Sequence, residues 1–171
     1  MSKLYIITGP AGVGKSTVSY SLANSLKKSV LLEGDDIYHQ VIGGYVPAWK
    51  EQNHLDVFWK VCIKTIEIYL ETGYDVIFNY IIMKEKFYEL QKIFKNFETK
   101  FIVLLVNEET ILKRDQERPE DCQMKERCII LLNKFVAENY PSNYILYTDQ
   151  LSIQDVTKQI ISEKRFSIKE K

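Results

Sequence analysis

Residues 9–16 read GPAGVGKS and decide the fold. The stretch fits G-x-x-x-x-G-K-[ST], the Walker A spacing of a loop that binds phosphate, and the apolar run at 4–8 in front of it predicts a buried strand. Because Gly9, Gly12 and Gly14 lack a Cβ, the backbone between them can turn its N–H groups toward an anion. The sequence therefore predicts a purine triphosphate bound with magnesium.

The side chains of this loop have separate expected roles. Lys15 reaches the outer phosphates as a point charge, and the Ser16 hydroxyl is placed to ligate Mg²⁺. A helix that begins here directs its positive end at the phosphates. The residues of this loop and of the helix start that are expected to bind ATP are Gly9, Ala11, Gly12, Val13, Gly14, Lys15, Ser16 and Thr17.

Composition indicates one globular domain. The chain has 171 residues, of which 46% are hydrophobic, enough to bury roughly 70% of the unfolded surface. Acidic and basic residues number 23 each, so we expect neither nucleic acid nor a membrane surface as partner.

No apolar run approaches the ~20 residues of a membrane span. The chain enters a strand without a cleavable signal pattern, so we expect a cytoplasmic protein. The oligomeric state stays open.

Short apolar runs alternate with helical stretches along the chain. Strands are predicted at 4–8, 30–33, 75–79, 100–106 and 144–147, and helices at 15–27, about 52–72, 84–95, about 108–117, about 124–139 and 152–163. This alternation predicts an α/β fold of three layers, in which a five-stranded parallel sheet is flanked by helices. We expect one domain at 1–164 with a lid at about 114–124. The charged stretch 165–171 lacks apolar periodicity, which predicts a loosely ordered tail.

The second predicted strand runs into Glu33, Gly34, Asp35 and Asp36. An acceptor hydroxyl must lose its proton as it attacks the γ-phosphorus, and a carboxylate here can accept that proton. Read as strand residues, Glu33 and Asp35 point to the same side, one toward the metal's water shell and the other toward the acceptor. We favour Asp35 as the base and metal-shell residue and Asp36 as a helix cap or supporting partner. The alternative is that either Asp only caps the next helix.

The phosphate loop together with L-E-G-D-D at 32–36 resembles the small P-loop phosphotransferases. This group contains gluconate kinase, shikimate kinase, adenylylsulfate kinase and antibiotic phosphotransferases. The resemblance implies the P-loop NTPase fold, ATP and Mg²⁺ as cofactors, and a small molecule with a hydroxyl as acceptor. In the gluconate and adenylylsulfate kinases the second strand ends in D-G-D, and its last Asp, held to be the base, corresponds to Asp35. The gluconate kinases have a His three residues later, where this chain has Tyr38 followed by His39.

Two arginines lie four residues apart before Pro119. In the resembling kinases this segment closes over the nucleotide, which implies a catalytic role for Arg114 and Arg118 and a contact of Arg114 with ATP. The alternative is a solvated helix face with weak ion pairs. Arg127, in the following helix, is a weaker third candidate.

The remaining candidates come from other strand ends and from the stretch 37–59. That stretch is rich in aromatic and turn residues and lies where the resembling kinases bind their acceptor, although Phe58 and Trp59 are expected in the core. Thr148 and Asp149 follow the last strand, where related kinases contact adenine. The residues expected around the acceptor are Glu33, Asp36, Tyr38, His39, Tyr45, Trp49 and Asn79.

Two other functions remain open at this point. A nucleoside or nucleotide kinase would share the loop and lid, but a nucleotide acceptor favours a basic cluster between the second and third strands, which holds only Lys50, Lys60 and Lys64. A non-catalytic module would bind ATP without transferring a phosphoryl group. The carboxylates at 33–36 argue against that module, because a binder needs no base beside the γ-phosphate.

Overall fold

The computed structural model describes residues 2–47, 50, 52–120 and 123–168, so the candidate acceptor residue Trp49 lies outside the described residues. The strands are β1 (Lys3–Thr8), β2 (Ser29–Glu33), β3 (Asp75–Asn79), β4 (Glu98–Leu105) and β5 (Ile145–Tyr147). The helices are α1 (Lys15–Ser25), α2 (Gly34–Tyr38), α3 (Gln52–Glu71), α4 (Lys84–Ile93), α5 (Glu108–Gln116), α6 (Glu126–Ala137) and α7 (Ile153–Ser162). Short 3₁₀ turns lie at Ser142–Tyr144 and Lys164–Phe166.

The five strands form one parallel sheet in the order β2-β3-β1-β4-β5. The central strands read as continuous apolar runs because helices cover both faces of a parallel sheet. Ile6, Ile77 and Leu104 are accordingly fully buried. The predicted α/β fold with a five-stranded parallel sheet is confirmed.

Sheet register brings the predicted polar strand ends to one edge. Asn79 lies opposite both Ile7 on β1 and Glu33 on β2. The phosphate loop follows directly after β1. The loop, the E-G-D-D segment and Asn79 therefore meet at the carboxyl ends of three neighbouring strands, where open α/β sheets bind ligands.

Helix α3 is amphipathic, as its four-residue spacing of apolar side chains predicts. Phe58, Cys62, Ile66 and Leu70 are buried against the sheet. Within the described ranges, the structure contains no helix with both the length and the apolar character needed to cross a membrane.

Helix α2 corrects the prediction that Asp35 continues a strand. Gly34, Asp35 and Asp36 form its first turn, and Glu33 is the last residue of β2. The alternation that would place Glu33 and Asp35 on the same side therefore does not apply. Acidic side chains are favourable in a first helical turn because the N-terminal end of a helix carries partial positive charge.

Residues 165–168, the described part of the stretch 165–171 that was predicted to be a loosely ordered tail, are packed on the domain. Phe166 is fully buried, Ser167 forms an antiparallel bridge with Lys100, and the Ile168 N–H donates to the Thr99 carbonyl at 2.9 Å. The stretch 165–171 is mostly charged, but its two apolar residues, Phe166 and Ile168, are enough to hold residues 165–168 against the sheet.

Candidate active site

The phosphate loop has the backbone conformation that its glycines predict. Gly9, Gly12 and Gly14 have φ values of 149°, 83° and 99°, a region that L side chains rarely adopt. A Cβ on Gly9 would lie 2.5 Å from the Leu104 carbonyl oxygen, so the loop also packs closely on β4. Helix α1 begins at Lys15, directly after the loop, and directs its N-terminal N–H groups toward it.

Lys15 folds back over this loop. Its Nζ donates to the carbonyls of Gly9 at 3.1 Å and Pro10 at 3.0 Å. Burial lowers the pKa of Lys15 to about 8, while the charges of Asp35 and Glu33 act in the opposite direction. Both carboxylates are thus close enough to stabilise the ammonium, and an anion held by the loop would stabilise it further.

A cluster of oxygen ligands lies next to Lys15. The Ser16 hydroxyl donates to Glu33 Oε2 at 3.2 Å, and Asn79 Nδ2 donates to the Ser16 oxygen at 3.1 Å and to the Glu33 carboxylate. Burial raises the pKa of Glu33, although the hydrogen bond from Ser16 opposes this. Glu33 is therefore the carboxylate that contacts the Ser16 hydroxyl, whereas Asp35 is the residue that the sequence analysis favoured for the metal shell.

This oxygen cluster fits a hard cation. A hydroxyl and a carboxylate are ligands that Mg²⁺ accepts, usually beside phosphate oxygens and water. Asn79 Oδ1 is buried and has no hydrogen-bond partner among the described residues. An unpaired buried amide oxygen is costly, so this atom has capacity for one further polar partner.

A cleft of about 1110 Å³ opens at the carboxyl ends of the strands. Asp35 has an exposed side chain and lines this cleft together with Lys15. The predicted residues that line it are Ala11, Gly12, Val13, Gly14, Lys15, Ser16, Thr17, Asp35, His39, Asn79, Arg114, Arg118 and Thr148. Asp36 is exposed in the same helical turn but is not among the residues that line the cleft.

Arg114 joins three parts of the site. Its Nη1 donates to the Val13 carbonyl at 2.8 Å and to Thr148 Oγ1 at 3.3 Å, and its Nη2 donates to the Thr148 carbonyl at 3.1 Å. The guanidinium therefore fixes the phosphate loop against the segment after β5. Asp149 was expected to contact the nucleotide, but it is not among the residues that line the cleft. Its Oδ1 instead accepts a hydrogen bond from the Asn107 N–H at 2.8 Å.

Asp115 anchors the predicted lid, and sequence reasoning missed it. Its carboxylate is almost fully buried and accepts from the N–H groups of Met124 at 3.0 Å and Lys125 at 2.7 Å. Burial alone would raise the pKa of Asp115, but these N–H groups outweigh it and hold the pKa below its usual range. Arg118, which lines the cleft, lies 3.4 Å from the same carboxylate. Asp115 lies four residues after the buried Ile111 and so on the same face of α5. This spacing is the sequence signal that could have indicated that Asp115 is buried.

The aromatic candidates separate into core and cleft residues. Tyr38 is buried, and its hydroxyl donates to the Val46 carbonyl at 2.7 Å. Tyr38 therefore supports the segment that leads to Val46, and it is not among the residues that line the cleft. His39 lines the cleft and stacks on Tyr45, with ring centroids 5.6 Å apart. Trp59, expected in the core, is mostly buried yet lines the cleft beside Tyr80.

Three solved structures are similar to this chain over nearly its whole length. The tunicamycin resistance protein of Deinococcus radiodurans is 18% identical with a TM-score of 0.69, and the alignment covers 95% of each chain. A gluconokinase from Sinorhizobium meliloti 1021 is 14% identical with a TM-score of 0.66, covering 94% of this chain and 90% of that one. The Mycobacterium tuberculosis APS kinase, solved with AMPPNP and APS, is 15% identical with a TM-score of 0.68, covering 94% and 95%.

The sequence itself places the chain in a family. No curated protein matches the chain significantly. A family model described as an AAA domain matches residues 4–129, from β1 into α6 and including the phosphate loop, the E-G-D-D segment and both arginines. The chain therefore belongs to the AAA domain family, and its fold is that of the small P-loop kinases.

Proposed function

We propose that this protein is an ATP-dependent phosphotransferase that moves the γ-phosphoryl group of Mg·ATP to a hydroxyl of a small molecule. One observation carries the proposal: Lys15 of the phosphate loop and the Asp35 carboxylate line the same open cleft. A protein that only bound ATP would need the first group but not the second. The kinases among the similar folds support the same class of reaction.

The chain's own groups divide the binding of Mg·ATP between them. The N–H groups of the loop and the Lys15 ammonium would hold the phosphates. Ser16 and Glu33 would hold Mg²⁺, with Asn79 orienting both side chains. When bound, Mg·ATP supplies the phosphoryl group and a γ-phosphorus that a hydroxyl can attack.

Asp35 acts as the base in this mechanism. As the acceptor oxygen bonds to the γ-phosphorus, the bond from that phosphorus to the bridging oxygen of ADP breaks, and the hydroxyl proton passes to the Asp35 carboxylate. Asp35 is suited to this because it is exposed to the cleft and its charge acts on Lys15. Glu33 is less suited, because its carboxylate already accepts hydrogen bonds from Ser16 and Asn79.

The two arginines have different positions and therefore different proposed roles. Arg118 lines the cleft on the segment that Asp115 anchors, so it can stabilise charge on the transferring group. Arg114 makes its hydrogen bonds to Val13 and Thr148, so it acts by holding the phosphate loop in position. Thr148 remains the proposed contact to the adenine, and Asp149 is left with a supporting role.

A coupled ADP-release assay tests this proposal. Wild type, Lys15→Ala, Asp35→Asn and Asp36→Asn are compared over a panel of hydroxyl metabolites, nucleosides and antibiotics. We expect at least one acceptor to stimulate ADP release by the wild type. Asp35→Asn should lower kcat about 10²- to 10⁴-fold, the range for loss of a general base, and Asp36→Asn should lower it far less. Circular dichroism checks that each variant is folded.

Two outcomes contradict the proposal in different ways. Near-normal turnover of Asp35→Asn, with a strong loss in Asp36→Asn, would move the base to the neighbouring residue. Saturable ATP binding that depends on Lys15, without ADP release for any acceptor, would identify a non-catalytic ATP-binding module.

A further inference from the structure

The cleft has two halves, one on each side of the phosphate loop. The loop follows β1, which has β4 and β5 on one side and β3 and β2 on the other. Thr148, the proposed contact to the adenine, follows β5, whereas Asp35 follows β2 and Tyr80 follows β3. The half of the cleft beside β3 and β2 is therefore the half in which a phosphoryl acceptor would lie.

A group of apolar side chains lines this acceptor half. They come from helix α3, from the segment between β3 and α4, and from helix α6, and we call them the apolar wall. The apolar wall consists of Leu55, Trp59, Ile81, Met83 and Leu131. Leu55 and Trp59 are four residues apart and therefore share one face of α3. An apolar surface beside the phosphates keeps out water, which would otherwise compete for the phosphoryl group.

Leu131 shows that the apolar wall has unused contact surface. Helix α6 buries Cys128, Leu132 and Phe135 in the core. Leu131 is half-buried and lines the cleft, but it is not among the described residues that pack against this core. An apolar side chain in that position is stabilised when another apolar surface covers it. A ligand with an apolar body would provide that surface.

The Tyr80 hydroxyl is a polar group beside the apolar wall that lacks a partner. The Tyr80 ring is held in place, with its centroid 4.6 Å from that of Phe58 and 5.6 Å from that of Trp59. The residue is only 9% exposed and lines the cleft, yet its hydroxyl has no hydrogen-bond partner among the described residues. Because a buried tyrosine hydroxyl normally has a partner, a ligand in the cleft is the group that would supply one.

Tyr80 and Asp35 border the same space. An added Cβ on Gly34 would lie 2.5 Å from Tyr80 Cδ2, so the ring packs against the first turn of α2, which also carries Asp35. Burial raises the pKa of Tyr80, and the charge of Asp35 raises it further. The Tyr80 hydroxyl therefore stays protonated at neutral pH. It can donate a hydrogen bond to an acceptor without competing with Asp35 for the proton that the acceptor loses.

Charged side chains also line the cleft, but they lie outside the apolar wall. The basic residues are Lys15, Lys86, Arg114, Arg118, Arg127 and Lys134, and the acidic residues are Asp35 and Glu117. Lys15, Arg114 and Arg118 belong to the phosphate loop and the lid. Lys86 pairs with Glu89, and the side chains of Arg127 and Lys134 are exposed.

A polyhydroxylated acceptor would lack partners in this half of the cleft. The Asn79 amide already donates to Ser16 and Glu33, and His39 Nε2 lies 3.3 Å from the Tyr45 hydroxyl. The apolar wall offers no hydrogen bonds. Since a hydroxyl that is buried without a partner is costly, several hydroxyls on one acceptor would weaken its binding.

We propose that the acceptor is an apolar alcohol, whose body packs against the apolar wall and whose hydroxyl accepts a hydrogen bond from Tyr80 while it faces Asp35. This inference rests on the proposed function, because it names the acceptor class of that reaction. One lone pair of the acceptor oxygen accepts from Tyr80, and the other attacks the γ-phosphorus. The proton of the acceptor passes to Asp35, as in the proposed mechanism.

A binding experiment that needs no catalysis tests this inference. The protein is saturated with Mg²⁺ and a non-hydrolysable ATP analogue, and benzyl alcohol, toluene and glycerol are titrated while NMR chemical shifts are followed. We expect benzyl alcohol to bind at least about tenfold more tightly than glycerol, because it buries apolar surface. Tyr80→Phe should weaken benzyl alcohol about 2- to 10-fold, the range for one hydrogen bond. It should leave the affinity for toluene, which has no hydroxyl, unchanged.

The same substitution at two leucines provides the control. Leu131→Asn places an amide in the apolar wall and should weaken both benzyl alcohol and toluene. Leu112→Asn changes a side chain that is 38% exposed on α5 and is not among those lining the cleft, so both affinities should stay the same. Circular dichroism checks that each variant is folded. Glycerol binding as tightly as benzyl alcohol, no measurable binding of benzyl alcohol, equal losses in the two leucine variants, or an unchanged affinity of Tyr80→Phe for benzyl alcohol would each overturn the inference.

The acceptor panel separates this inference from the proposed function. If polyhydroxylated acceptors are turned over with a higher kcat/KM than apolar alcohols, the phosphotransferase stands and the apolar acceptor is wrong. If no acceptor is turned over but benzyl alcohol still binds through Leu131 and Tyr80, the apolar wall stands as a binding site and the proposed reaction is wrong.

Discussion

The Glu33 side chain connects the edge of the sheet to the phosphate loop. Strand β2 is an edge strand, and β3 lies between it and β1. Asn79 on β3 therefore occupies the position between Glu33 and Ser16, and its amide donates to both. Because the side chains are held in this way, the ligands proposed for Mg²⁺ are already oriented before the ion binds.

Gly34 is required by a close contact of its backbone with Tyr80. An added Cβ would lie 2.5 Å from Cδ2 and 2.9 Å from Cβ of that buried tyrosine. Because Tyr80 cannot swing away into solvent, Gly34→Ala should lower the free energy of unfolding by about 1–3 kcal/mol, as overpacking does. Urea denaturation measures this change.

Gly43→Ala is the matched control for that substitution. A Cβ at Gly43 would meet nothing within 4 Å, so the free energy of unfolding should change by no more than about 0.5 kcal/mol. If both variants lose the same free energy, the contact with Tyr80 is not what requires glycine at position 34. The displaced tyrosine should also raise the KM for the acceptor in Gly34→Ala alone.

At the scale of elements, Asp115 joins the end of α5 to the start of α6. Its carboxylate accepts from the Met124 and Lys125 N–H groups, and Lys125 has a φ of 48°. Asp115→Asn should lower the free energy of unfolding by about 1–3 kcal/mol, because one charged acceptor is replaced by an amide whose NH₂ faces N–H donors. Glu117→Gln, an exposed change in the same segment, should have little effect.

The contribution of Asp115 should depend on pH in a defined direction. Since the folded pKa of Asp115 lies below its usual range, the stabilisation is complete above the unfolded pKa of about 3.9 and is lost as pH falls through the folded pKa. The difference in unfolding free energy between wild type and Asp115→Asn should therefore narrow at about pH 3 compared with neutral pH. A constant difference at both pH values would contradict a charged role.

Sequence patterns predicted the elements wherever the determining interactions are local. The apolar runs of β1 to β5 and the loop at 9–16 act through neighbouring residues, and their positions were predicted to within a few residues. Helix α2 was missed because Asp35 and Asp36 suit both a strand end and a first helical turn. The role of Asp115 was missed because its partners, Met124 and Lys125, lie nine and ten residues later in the chain, and no local pattern predicts these contacts.

At the scale of the whole molecule, long-range packing creates the features that the sequence conceals. Lys86 and Lys134 come from two helices that are far apart in the chain, and Lys84 at the start of α4 donates hydrogen bonds to Glu138 and Asn139 just after α6. No pattern within either helix indicates that contact. Composition shows a neutral protein, and only the fold reveals that the cleft collects positive charge.

The chain end is a further case of packing between distant segments. Lys100 on β4 is buried, and its Nζ donates to the carbonyls of Ile160, Ile161 and Glu163 at 2.8, 2.7 and 3.1 Å. These carbonyls lie at the C-terminal end of α7, where a cation is favourable. The same strand pairs with the segment that carries Phe166. We therefore expect residues 165–168 to unfold together with the rest of the domain.

Phe166→Ala tests whether the chain end stabilises the entire domain. Phe166 is fully buried, so its removal should lower the free energy of unfolding by about 3–5 kcal/mol while unfolding remains a single transition. Ile161→Ala removes a side chain that is 39% exposed on α7 and should cost less than about 1 kcal/mol. Urea denaturation followed by tryptophan fluorescence, which reports on Trp49 and Trp59, measures both changes in the free energy of unfolding. A small loss in Phe166→Ala would mean that the end of the chain folds onto the domain without stabilising it.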